Sequence, residues 1–247
     1  MKYKILIIGE MSGAAMNLKL GFKFIGCDVV HVGYKNIFRE IEPDINLSKY
    51  NGVKGAIDRI LKSINFVLFD NYDFVIFTRY WEFPFYNNYL NEYLFRTLKK
   101  STNFIFFWSL SCDFIVRNDF KVTSPLCANC LKYDQQSTIC KYETKQSIKK
   151  ELDFKRYIDM IVPGSIEYAD AYKNELNVSK QIIPISIFIN KSENIFTTEN
   201  LLKNKLKIYH SISRNGFKGS ELMLNALRKY KGLDNFELML LTHKLAF

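Results

Sequence analysis

No stretch of the 247-residue sequence approaches the run of about 20 uncharged apolar residues that a membrane-spanning helix requires. No secretory leader is expected either. Met1-Lys2-Tyr3-Lys4 is basic and Ile5-Leu6-Ile7-Ile8 is apolar, but the run stops at Gly9-Glu10, too short for a leader core and without a cleavage site. The expectation is a cytoplasmic protein. Lys and Arg nowhere condense into the dense stripe that nucleic-acid binding demands, so no nucleic-acid partner is expected. Histidine is scarce: His31, His210 and His243 are the only three, each far from the others. The patterns G-x-S-x-G, G-x-x-x-x-G-K-[ST] and H-E-x-x-H are all absent, which removes the usual signatures of serine hydrolases, P-loop enzymes and zinc proteases.

What is present is ordinary globular material, 48% hydrophobic and 24% charged, which excludes a disordered chain. A chain of this length buries a core without needing disulfides or metals to fold. The net charge is +10, mostly from Lys spread along the chain. A diffuse excess of this kind is a solvated surface, and it also suits phosphate-bearing small molecules or an anionic membrane surface. Aromatic residues reach 15% and lie inside apolar runs, so they read as core and strand filling.

Short β-rich runs alternate with helical stretches. Lys4–Gly9 is a continuous apolar strand, and Met11–Ile25 carries apolar residues at helical spacing. Gly26 ends that helix, and Cys27–Val32 is a second strand. A helix-length crossover between two strands makes a βαβ unit and implies a parallel sheet. Further strands are expected at Phe74–Thr78, Asn103–Trp108, Met160–Val162 and Gln181–Ile183. Helices are expected near Lys54–Ile64, Asn87–Lys100, Gln146–Tyr157 and Ser165–Leu176, the last capped by Ser165. The fold class is α/β, a doubly wound parallel sheet. Lys191–Lys205 is polar and reads as a linker between a domain over 1–190 and a partial one over 206–247. In the latter a strand Leu206–Ile212, a loop Ser213–Gly219, a helix Ser220–Tyr230 and a strand Phe236–Leu241 begin a second unit, and the pattern stops at Phe247. About 42 residues cannot bury a core alone, so this second domain is expected to be cut short and the 247-residue chain to lack transfer activity by itself.

Three loops follow strands and therefore face the ligand-binding edge of such a sheet. The first is Gly9-Glu10-Met11-Ser12-Gly13-Ala14. Small residues here let a ligand approach a helix N-terminus, making Gly9 and Gly13 candidate cofactor contacts; a tight turn explains them equally. Met11 stands where the dinucleotide fingerprint G-x-G-x-x-G needs its second glycine. The second is Ser109-Leu110-Ser111-Cys112-Asp113-Phe114-Ile115-Val116-Arg117. Asp113 there either orients or deprotonates a hydroxyl or caps the following turn, and Arg117 is a candidate for an acidic group. The third, Ser211-Ile212-Ser213-Arg214-Asn215-Gly216-Phe217-Lys218-Gly219-Ser220, brings two cations to a glycine-bearing turn ahead of a helix, a phosphate clamp.

Tyr209 through Arg214, Lys218-Gly219-Ser220 and Leu224-Asn225-Ala226-Leu227 resemble the start of the donor domain in GT-B glycosyltransferases of the family-four-like group. The resemblance implies an N-terminal acceptor domain of Rossmann-like fold followed by the opening of a donor domain. It implies transfer of a sugar from a nucleoside-diphosphate sugar to the hydroxyl of a glycan or lipid-linked acceptor, in surface glycan synthesis. In that family an Arg and a Lys followed by Gly hold the diphosphate; Arg214, Lys218 and Gly219 match them, and the two cations would offset charge on the leaving group. Asp113 and Arg117 resemble a small-x-Asp-x-x-Arg segment of related enzymes, with the spacing loosened by one residue. His210 lies where it would touch donor phosphate or sugar, and Arg79 and Glu82 would line the acceptor site. No organic cofactor is implied. A non-catalytic partner subunit retaining only the acceptor domain is the alternative.

Cys127-Ala128-Asn129-Cys130 has the C-x2-C spacing of a zinc knuckle, Cys140 follows, and Cys112 lies upstream. The segment around 112–145 is a polar insert, and structural zinc on Cys112, Cys127, Cys130 and Cys140 would staple it; free thiols or a disulfide are the other readings. No histidine lies nearby, which argues against catalytic zinc.

Overall fold

The computed structural model describes residues 2–11, 13–35, 41–47, 52–68, 70–78, 88–123, 127, 130–131, 140–175, 177–184, 206–211, 220–229 and 236–241. The chain divides into two compact units. One comprises Met1–Val116 with Tyr142–Phe188, the other Arg117–Lys141 with Ile189–Phe247.

The first unit is an α/β sandwich. Its elements are β1 (Lys4–Ile8), α1 (Ala14–Phe24), β2 (Asp28–Gly33), β3 (Ile45–Asn46), α2 (Gly52–Leu68), β4 (Tyr72–Phe77), α3 (Asn88–Ser101), β5 (Thr102–Ser109), the first turn of α4 (Phe114–Thr123), α5 (Lys145–Lys155), β6 (Met160–Pro163) and α6 (Ile166–Ala171). The six strands form one sheet in the order β3-β2-β1-β4-β5-β6, every pairing parallel. This is the doubly wound arrangement that the alternating pattern predicts. β1 sits at the centre, with Ile7 opposite His31 of β2 and Ile76 of β4.

Because helices cover both faces, the strands are apolar throughout rather than alternating. On one face Ile5, Ile7, Val29, Ile76, Trp108 and Val162 pack against Ala14 and Ala15 of α1. On the other face Phe154 of α5 meets Phe77, Phe95 and Phe107 with ring centroids 5.0, 5.5 and 5.4 Å away. The edge-on ring contacts are the favourable geometry for aromatic quadrupoles. Aromatic residues thus fill the core, as their place inside apolar runs predicts. Ser165 accepts the N–H of Tyr168 and caps α6, also as expected.

Three local features depart from the sequence reading. β3 is only two residues long, too short to leave a periodic signal. α4 forms inside the segment expected to be a loop and insert, because Asp113 caps it and Val116 and Phe120 give it a buried side. Gln181–Ile183 does not join the sheet. Ile183 donates its N–H to Pro163 O and accepts the Trp108 indole at 2.7 Å, but Pro184 follows and has no N–H to extend a ladder. In the second unit β7 (Leu206–Ser211), α7 (Ser220–Lys229) and β8 (Phe236–Leu241) make the expected βαβ unit, with β7 and β8 parallel and Leu206 opposite Phe236. The linker at 191–205 lies outside the described residues.

Gly164 joins the ends of two strands: its N–H donates to Ser109 O at 2.8 Å. A Cβ at Gly164 would stand 2.5 Å from Leu110 Cδ2 and 2.7 Å from Ser109 O. A backbone oxygen already bonded at that distance cannot step aside. Gly164→Ala should therefore destabilise the chain by about 1–3 kcal/mol through overpacking. The check is the urea midpoint at unchanged m-value, and a wild-type midpoint would refute the contact.

Candidate functional site

The strand order reverses between β1 and β4, since the chain leaves β1 toward β2 and β3 and then crosses back. In doubly wound sheets ligands bind outside the carboxyl ends of the strands at this switch point. Here that edge consists of Gly9 and Glu10 after β1 and Thr78 after β4. Thr78 is buried and donates its N–H to Ile8 O at 3.0 Å, while Gly9 donates to Val32 O at 2.8 Å.

Gly13 caps α1 with a φ of 90°, a left-handed conformation that glycine adopts without steric cost. The first-turn N–H groups of α1 do not point into an empty site. Glu10 Oε1 accepts the Gly13 N–H at 2.6 Å, and Oε2 accepts the Met16 N–H at 3.3 Å. The carboxylate is buried and completes the helix terminus that the sequence offers to an anion. An external phosphate would find those two N–H groups already taken. Gly9 and Gly13 build the turn, and Glu10 is the side chain that occupies it.

His31 is fully buried beneath this turn. Its Nε2 lies 3.1 Å from Gly9 O, and a carbonyl only accepts, so Nε2 carries the proton. Nδ1 has no hydrogen-bond partner among the described residues. Burial lowers the His31 pKa to about 4, so the ring is neutral and packs rather than pairing with Glu10 Oε2 at 3.9 Å. Nearby, Asp44 anchors the strand that holds His31: Oδ2 accepts the His31 backbone N–H at 2.8 Å and Oδ1 takes Lys19 Nζ at 2.6 Å.

Asp113 is in the loop after β5, where the sequence places it, but it is 1% exposed. Oδ1 accepts the Val116 N–H at 2.9 Å, and Oδ2 is hydrogen-bonded by the Tyr172 hydroxyl. Of the two sequence readings, the geometry is that of the cap. Glu151, from α5, joins it: Oε2 accepts the Phe114 N–H at 2.6 Å. Its Oε1 has no hydrogen-bond partner among the described residues, the Lys155 ammonium standing 3.9 Å off. Burial first, and then the Glu151 charge, hold the Asp113 carboxyl well above the usual carboxylate range; burial raises Glu151 too. Lys155 turns toward Glu175 at 3.5 Å and over the Tyr172 ring. Two carboxyl groups thus close the N-terminus of α4 within a single buried cluster. Glu10, Glu151 and Tyr172 were not singled out from sequence. An acidic residue directly after an apolar strand was a signal for Glu10. Glu151 and Tyr172 reach Asp113 from 38 and 59 positions away in the chain, so nothing local marks them.

Arg117 is buried, and Nη1 donates to Cys127 Sγ at 2.7 Å. Burial pushes the Cys127 thiol up, against the pull of the guanidinium. No three His, Cys, Asp or Glu residues gather as a metal centre among the described residues, although Cys112, Cys127, Cys130 and Cys140 all belong to them. None of the five cysteines is in a disulfide. Arg79, Glu82, Arg214, Lys218 and Gly219 lie outside the described residues, as does the side chain of His210 on β7.

No family model matches the chain, and no curated protein matches it. Among solved structures it is similar to a protein assigned as a UDP-N-acetylglucosamine 2-epimerase from Listeria monocytogenes, at 13% identity and a TM-score of 0.49. That likeness covers 97% of this chain, which spans 62% of the length of the Listeria protein.

Two outcomes follow from these carboxylates. Glu10→Ala should cost about 0.5–2 kcal/mol, the scale of a lost N-terminal cap. It should also open the site, so that inorganic phosphate raises the melting temperature of the variant and leaves the wild type unmoved. Phosphate stabilising both equally would show that Glu10 does not fill the site. For Asp113 and Glu151 the folded groups bind protons more tightly than the unfolded ones, so their contribution is complete at low pH and is lost as pH rises through the raised values. A tenfold gain in proton affinity on folding corresponds to about 1.4 kcal/mol. Glu151→Gln keeps the acceptor for Phe114 and removes the charge, and it should flatten the loss of stability between acid and neutral pH. An unchanged pH profile in denaturant melts would refute a raised proton affinity of Glu151.

Proposed function

We propose that the chain is a glycosyltransferase that moves a sugar from a nucleoside-diphosphate sugar to an acceptor hydroxyl. The observation that carries the reading is the Glu10 carboxylate at the switch point. With the α1 N-terminus already completed by an internal anion, the first unit receives a hydroxyl-bearing ligand in preference to a nucleotide phosphate. The phosphates then fall to the loop after β7, the corresponding position of the second βαβ unit, whose sequence supplies Arg214, Lys218 and Gly219. Two cations there would offset charge developing on the leaving diphosphate, electrostatic stabilisation directed at the transition state. Asp113, buried as the cap of α4, positions the loop after β5 rather than touching the acceptor. Glu10 and the residues after β4 are the groups left to meet it.

The burial of Asp113 also favours a second reading, an acceptor-binding subunit without catalysis. The two separate by experiment. Calorimetry with UDP and GDP, beside a turnover assay with a panel of nucleotide sugars, should give diphosphate binding that Arg214→Ala weakens by about 1.5–3 kcal/mol, the scale of a hydrogen bond to a charged group. Equal affinity in the variant would overturn the clamp. Absence of both binding and turnover would leave the acceptor-binding reading standing.

A further inference from the structure

The second unit holds a set of side chains that the transfer reading leaves unused: Arg117, Cys127, Cys130 and Cys140. Arg117 is 4% exposed, and its Nη1 donates to Cys127 Sγ at 2.7 Å. A cation set on a sulfur favours the thiolate, the nucleophilic form of cysteine. The Cys130 and Cys140 sulfurs are both close enough to act on a charge at Cys127. Cys127 and Cys130 lie three positions apart, each in a helical turn. Helical residues at that spacing have Cβ atoms about 5–6 Å apart, and a disulfide needs about 3.5–4.5 Å, so a small local shift joins them. Both are half-buried and open to a small solute, whereas Cys140 is buried. Both are free thiols, with electrons to give.

We propose that Cys127 and Cys130 form a peroxide-responsive dithiol that closes to a disulfide and so releases Arg117 from its sulfur. The oxidant is a hydroperoxide, hydrogen peroxide being the simplest. The Cys127 sulfur attacks one peroxide oxygen and the O–O bond breaks. The products are a sulfenic acid on Cys127 and hydroxide, which takes up the thiol proton as water. The Cys130 sulfur then attacks the Cys127 sulfur: the S–S bond forms, the S–O bond breaks, and the leaving hydroxide takes the Cys130 proton as a second water. Two thiols are oxidised by two electrons, and one peroxide is reduced to two waters. Arg117 is a positioning residue in this scheme, since it acts through the Cys127 sulfur. A disulfide sulfur carries no charge, so oxidation withdraws from the guanidinium the acceptor it favours. Arg117 belongs to α4, which makes the state of the dithiol a local influence on that helix. A dithiol reductant reverses the step by exchange. The inference does not rest on the transfer reading.

Peptide mapping of the full chain tests it. The reduced protein is treated with hydrogen peroxide, alkylated with iodoacetamide and digested with trypsin. Cleavage after Lys121, Lys132 and Lys141 places Cys127 and Cys130 in one peptide and Cys140 in the next. The first peptide should be recovered two hydrogen atoms lighter and unalkylated, while Cys27, Cys112 and Cys140 carry the alkyl group. Dithiothreitol should restore both thiols. Cys130→Ser, a small change at a half-buried position, should stop the reaction at the sulfenic acid on Cys127, which dimedone traps. Arg117→Gln should slow the closure at least about five-fold, and Arg117→Lys should recover part of the rate by keeping the charge. If Arg117→Gln does not fold, the mapping and the Cys130→Ser trap decide alone. Alkylation of both Cys127 and Cys130 after peroxide would overturn the proposal. So would a cross-link from either of them to Cys140, zinc found bound and shielding the pair, or an undiminished rate in folded Arg117→Gln.

Discussion

All six strands of the first unit run in one direction, and most of the architecture is a consequence of that. A parallel neighbour cannot be reached by a tight turn, so each connection between the longer strands crosses a face of the sheet. Apart from the β2–β3 link, those connections are helical, and the covering leaves no strand a solvent side. Ile8 shows how closely the edge is set: its carbonyl takes the Thr78 N–H, while the next residue, Gly9, donates to Val32. β1 is thereby tied on both sides at the point where the winding reverses. The loops at its carboxyl end inherit a rigid base.

On that base the same physical problem is solved twice with carboxylates. A helix beginning at the edge of a sheet exposes N–H groups without intrahelical partners. Glu10 satisfies two of them on α1, and Asp113 with Glu151 satisfies them on α4. The two sites differ in how many acids they bury. One carboxyl group at α1 takes up two of that terminus's N–H groups. At α4 burial raises the proton affinity of both carboxyl groups, and the Glu151 charge raises that of Asp113 further. The edge thus carries one filled helix terminus facing the crevice and one sealed within the fold.

Much of this was legible in the sequence, and the reasons are specific. Continuous apolar runs such as Ile5–Ile8 and Phe104–Trp108, separated by helical periods, can satisfy their burial only in a covered parallel sheet. Ser165 announced its cap because the rule acts over three residues. α4 was not legible, because its buried positions lie within a polar segment. Gln181–Ile183 was misread since its apolar character is real but Pro184 denies it a ladder. Asp113 was found with two roles open, and burial separated them. The cysteine spacing was legible as a pattern, whereas the meeting of Arg117 with the sulfur of Cys127 was not.

The amino-acid sequence by itself determined the fold class, the helical crossovers, the aromatic core and the loops at the ligand-binding edge. Each of these follows from short-range periodicity or from the chemistry of neighbouring residues. Tertiary structure alone decided which side chains meet. Glu151 and Tyr172 reach Asp113, and Asp44 reaches both Lys19 and the His31 backbone, only after the sheet has assembled. It also decided that Val53, Ile57, Leu61 and Leu68 of α2 stay exposed. Periodicity marks a residue as able to be buried, but whether another element arrives to cover it depends on packing between distant parts of the chain.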